Sequence, residues 1–120
     1  MEQTVLEAMR AYGMDVDATI ERYGGNEDLL LKHLRRFPSD ASFAALMQAM
    51  ETEQREAVKV ACHTLKGVSG NLGLTPLFTA ACDMMAILRR DDQADLRKPY
   101  QAVHAAYDDA IALVHAIANA

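Results

Sequence analysis

Apolar side chains recur at three- and four-residue intervals along almost the whole 120-residue chain. That spacing commits the chain to amphipathic helices packed on one another. Val5, Met9 and Tyr12 form one short stripe, ended by Gly13. Val16, Thr19, Ile20 and Tyr23 form a second, with Asp15 as N-cap and Gly24-Gly25 as the stop. Asn26 caps a third helix with Leu30, Leu34 and Phe37 inside, and Lys32, Arg35 and Arg36 near its end suit the helix dipole. Pro38 breaks or kinks it. A fourth segment starts near Asp40 and places Phe43, Leu46, Met47 and Met50 on one face.

Thr52 is the expected cap of the next helix, with Glu53 and Glu56 in its first turn. Its inward stripe is Val58, Ala61, Cys62, Leu65, Ser69 and Leu72, and Gly73 ends it. Thr75-Pro76 opens a helix with Leu77, Ala81, Met84, Met85 and Leu88 inside and Arg89-Arg90 at its close. The last helix begins within Asp91 to Asp95, with Pro99 as a kink or the true start. It carries Val103, Ala106, Tyr107, Ala110, Val114 and Ile117 inward. The expected fold is all-α: an antiparallel up-down four-helix bundle in a single domain over residues 1–120. One or two short N-terminal helices cover one end, and the seven methionines fill the core.

Composition excludes several function classes. Apolar residues make up 51% and charged residues 24%, which is globular rather than disordered. A net charge of −5 lacks the basic face that nucleic acid requires. No apolar run approaches the roughly 20 residues that span a bilayer, and Met1 to Arg10 is amphipathic and acidic, unlike a signal peptide. Cys62 and Cys82 read as two small buried thiols, unpaired in a reducing cytoplasm. No Cys/His spacing reads as zinc. His104 and Asp108 share an i, i+4 spacing, but two ligands do not make a metal site. Neither Glu-x-x-His nor His-Glu-x-x-His occurs, which disfavours a di-iron or zinc bundle.

The chemistry concentrates in Cys62-His63-Thr64-Leu65-Lys66-Gly67-Val68-Ser69-Gly70-Asn71-Leu72-Gly73. At 100° per residue His63 lies about 160° from the centre of its helix's apolar stripe, so it faces water. Lys59, Lys66, Gly67 and Gly70 fall on the same side. Each glycine costs a helix interior about 1 kcal/mol relative to alanine, so two beside an exposed histidine need a reason. Close approach by another backbone is the simplest one. An ordinary imidazole at pH 7 is largely neutral and offers a lone pair that can attack phosphorus. Lys66 can then offset the phosphoryl charge. A plain solvated histidine would leave the glycines and lysine as chance neighbours; His33, His104 and His115 lack them and read as solvated or rim histidines.

At this motif the chain resembles the histidine-containing phosphotransfer (HPt) domains of bacterial multistep phosphorelays. Their pattern is His-x-x-Lys-Gly, with a further Gly six beyond the first, and His63, Lys66, Gly67 and Gly73 match it. The stretch from Gly24 to Leu30, followed by Phe37, also resembles the family, so the likeness spans about Asp15 to Ala118. The resemblance implies that His63 takes a phosphoryl group on Nε2 from a receiver-domain phospho-aspartate and passes it to another receiver's aspartate. Lys66 and Lys59 would neighbour the phosphate. Gly67 and Gly70 would let the receiver close over the ring, and Val60 would add apolar docking surface. Mg²⁺ would belong to the receiver, leaving this chain without a cofactor of its own. The expected partners are receiver domains, those of hybrid sensor histidine kinases among them, acting on a cytoplasmic monomer. No Gly-rich phosphate loop or kinase signature is present, so a phosphocarrier rather than a kinase is expected. One departure stands out. Many family members carry Glu or Gln twenty-two residues after the histidine, where it bonds Nδ1; here that residue is Met85. A helical adaptor that docks a receiver or kinase without accepting phosphate is the competing reading.

Overall fold

The computed structural model describes residues 1–119, so the last residue of the expected 120-residue domain lies outside the described residues. Its helices are α1 (Gln3–Tyr12), α2 (Val16–Arg22), α3 (Glu27–Arg36), α4 (Ser42–Glu51), α5 (Arg55–Asn71), α6 (Thr75–Arg90) and α7 (Arg97–Ala118). No strand occurs among the described residues. Helices α4 to α7 pack in sequence as an antiparallel bundle, α5 lying between α4 and α6. The expected all-α bundle is the observed fold.

Local chemistry accounts for several helix ends. Asp15 Oδ1 accepts from the Ala18 N–H at 3.1 Å, and Asn26 Oδ1 accepts from the Leu29 N–H at 3.0 Å. Each satisfies an orphan donor at a helix start. Pro38 sits in a tight 3-10 turn, Phe37–Ser39, that ends α3. Pro99 lies in the first turn of α7, so it marks the start of that helix and kinks nothing.

The start of α5 departs from expectation. Helix α4 runs on to Glu51 and takes Thr52 as its own C-cap, the Thr52 hydroxyl donating to the Gln48 carbonyl at 2.9 Å. Glu53 then turns the chain in a left-handed conformation, φ 53°. Helix α5 therefore begins at Arg55 without a side-chain cap, and only Glu56 keeps its place in the first turn. Arg55 instead reaches across the bundle end and donates to the Asp91 and Ala94 carbonyls at 2.7 and 3.0 Å.

The core is formed by the anticipated stripes, with Leu30, Leu34, Leu46, Leu65, Leu77 and Leu88 fully shielded from water. Each such side chain contributes about 1.5–3 kcal/mol on burial. Two details differ. Met47 is 39% exposed and Ala49 is buried in its stead, because Met47 falls on the outer side of Leu46 on α4. The methionines are therefore not uniformly core. Phe43 stacks on Tyr107, centroids 4.0 Å apart, and ties α4 to α7.

The N-terminal helices cover the α5–α6 end. Helix α1 packs on α7, and a Cβ on Gly13 would meet the Pro76 ring at 3.5 Å. Gly73 adopts φ +71°, and a Cβ there would collide with the Thr19 side chain. Helix α2 is thus seated directly on the α5–α6 turn.

Candidate functional site

The inward side of α5 is sealed: Val58, Ala61, Cys62, Leu65 and Ser69 are buried. Burial pushes the Cys62 thiol up to about 11, and its Sγ donates to the Ala81 carbonyl at 3.6 Å. Cys82 is half-buried, and both cysteines are free thiols. Because the core stripe is filled at these positions, the helix turns His63 outward, where it is exposed. Among the described residues no side chain hydrogen-bonds its ring. Met85 is buried, so the position twenty-two residues on supplies no polar partner.

Lys59 and Lys66 are half-buried on either side of His63. Such side chains lay their methylene stems on the helix and leave the ammonium in water. The ion pairs among the described residues are the Met1 ammonium with Glu27, Arg97 with Asp95, and His104 with Asp108; neither lysine takes part. Their charge is available to an anion near His63.

The two glycines part company here. A Cβ on Gly67 would meet nothing within 4 Å, so its surface is open beside the imidazole. A Cβ on Gly70 would lie 2.9 Å from two carbons of the Phe78 ring. Gly70 is therefore occupied from within, by α6. Val60 is 62% exposed at the rim of an open groove of about 630 Å³ between α4 and α5, lined by Ala41, Ala45, Ala57, Val60 and Thr64 among others.

Sequence reasoning missed what holds the far end of α5. Arg22 Nη1 donates to the Gly70 carbonyl and, at 3.3 Å, to the Asn71 carbonyl. A cation on the last carbonyls opposes the partial negative charge of the helix end. The Tyr23 hydroxyl donates to the Asn71 carbonyl at 3.2 Å and accepts from the Asn71 amide at 3.1 Å. These contacts join residues nearly fifty positions apart, beyond any local pattern. Phe78 left a usable signal: it sits beside Leu77, off the apolar stripe of α6.

The remaining histidines stand apart. His33 packs near the Tyr23 ring, His104 faces Phe43 and pairs with Asp108 at 3.6 Å, and His115 is exposed. No cluster of three or more potential metal ligands forms among the described residues. Among the described residues no helix is long and apolar enough to cross a membrane.

The antiparallel helical bundle thus holds one exposed imidazole outward, with Lys59 and Lys66 on either side of it. The family model named Hpt domain matches residues 39–118, and the chain belongs to that family. Hpt domains are phosphocarrier modules that work with receiver domains in two-component phosphorelays. No curated protein and no solved structure matches the chain.

Proposed function

We propose that this chain is a phosphorelay intermediate in which His63 carries the phosphoryl group. One observation carries the reading: in an Hpt-family chain, an exposed imidazole lies between Lys59 and Lys66 with open space at Gly67. The Nε2 lone pair attacks the phosphorus of an aspartyl phosphate on a receiver domain. The N–P bond forms as the P–O bond to the aspartate breaks, and the aspartate leaves as a carboxylate. The Nδ1 proton stays on the ring, giving a cationic phosphoimidazole that remains a good donor. A carboxylate on a second receiver reverses these bond changes and regenerates neutral His63.

Catalysis of this kind is mainly positioning and charge stabilisation. Lys66 and Lys59 lower the cost of bringing phosphate to the ring. The groove beside Val60 and the clearance at Gly67 admit the receiver. The receiver supplies Mg²⁺ and the acidic groups that hold it, and this chain needs no cofactor. The setting is cytoplasmic, with the carrier acting as a monomer.

The buried Met85 favours a second reading, since Nδ1 has no side chain to orient it. On that reading the bundle docks a receiver or kinase and accepts nothing. Incubation with ³²P-phosphorylated receiver domains separates the two. A relay acquires acid-labile, alkali-stable label, and His63→Gln acquires none while keeping its unfolding temperature. Label persisting in the variant, or a folded wild-type protein that no receiver labels, overturns the relay reading.

A further inference from the structure

The ring of Phe78 reaches from α6 onto α5. It lies over Gly70, so close that a methyl group on that residue would overlap it. On the other side of that residue, Arg22 of α2 donates to the Gly70 carbonyl. Phe78 is nevertheless 36% exposed, one of the few large apolar side chains left in water. Gly70 follows His63 by seven residues, which places it within about 20° of the imidazole around α5 and about 10 Å further along the axis. The aromatic ring therefore extends the His63 face at the end opposite Val60.

Resting on the relay reading of His63, we propose that Phe78 is the aromatic anchor by which a phosphorylated receiver domain grips this face, and that Gly70 serves to seat its ring. Rigid, partly exposed aromatics beside a polar centre are the side chains that dominate association energetics. The occupant is identified by charge and continuity. An aspartyl phosphate with its surrounding carboxylates complements Lys59 and Lys66, neither of which has an ion-pair partner among the described residues. A body centred on His63 and reaching two turns down α5 meets Phe78 next. Gly70 then has a purpose different from that of Gly67: it shapes this chain's own surface, whereas Gly67 leaves room for the partner.

The test uses a phosphorylated receiver that labels the wild-type protein, with phosphoramidate as a small donor that needs no docking. Initial transfer rates are measured against receiver concentration and scaled to the folded fraction from thermal unfolding. Phe78→Ala raises KM for the receiver about tenfold or more, and lowers the ratio of receiver to phosphoramidate rates by as much. Phe78→Leu recovers part of the loss. Gly70→Ala lowers the same ratio, and the double variant is no worse than Phe78→Ala, because the two residues act as one unit. A KM within twofold of wild type for Phe78→Ala overturns the proposal and leaves the relay intact, as do losses that multiply in the double variant. A wild-type protein labelled by neither phosphoramidate nor any receiver overturns the relay reading, and this anchor with it.

Discussion

The two sides of α5 are built from the same seventeen residues and held in opposite ways. On one side Val58, Ala61, Cys62, Leu65 and Ser69 are locked between α4 and α6. On the other, Lys59, His63 and Lys66 meet no ion-pair partner among the described residues, and Gly67 borders open space. Stability and the proposed transfer chemistry therefore rest on separate residues one or two positions apart. Mutation should pull them apart cleanly.

The sharpest challenge to that division is Leu65→Ala. Leu65 is fully buried, and truncation removes its burial energy and leaves a cavity, destabilising by about 2–5 kcal/mol. Denaturant unfolding measures the loss. Labelling of the folded fraction should stay at the wild-type rate; a slower rate per folded molecule would show that the inner side also shapes the chemistry.

Alkali comes next. Burial raises the Cys62 thiol from an ordinary 9.0 to about 11 in the folded chain. A group whose pKa is raised on folding contributes fully below its unfolded value and loses that contribution as pH rises through the folded one. Stability should fall between about pH 9 and 11. Cys62→Ala should lack this component, so the gap between wild type and variant narrows from pH 8 to pH 10.5. A constant gap across that range would mean that the thiol ionises as easily in the bundle as outside it.

The smallest effect is the most discriminating. Gly67 is mid-helix with open space around it, so Gly67→Ala should stabilise by about 1 kcal/mol. It should also slow transfer from a receiver, because the added methyl occupies the clearance beside His63. A variant that is both more stable and equally fast would leave that glycine without the role assigned to it.

The inward side of α5 was legible in the sequence because its apolar positions repeat with the helix period, and every residue of that stripe is buried. The outward position of His63 followed from the same geometry. The start of the helix was misread: Thr52 and Glu53 carry good capping chemistry, but α4 extended far enough to claim Thr52. Met47 was misplaced because Leu46, Met47 and Met50 are equally apolar, and packing rather than composition chose which faced inward. Gly70 could not be told from Gly67 by sequence, since only the fold brings Phe78 onto one of them. The grip of Arg22 and Tyr23 on Asn71 was invisible for the same reason.

That grip bears on where this module can be cut. The family match starts at Ser39, yet upstream of it Thr19 fills the space beside Gly73, and Arg22 and Tyr23 hold the Gly70 and Asn71 carbonyls. A fragment trimmed to the match, or grafted into a chimaera at that border, would bare the tail of α5 and unseat its last carbonyls. Anyone transplanting this carrier should take the helix from Val16 to Arg22 along with it.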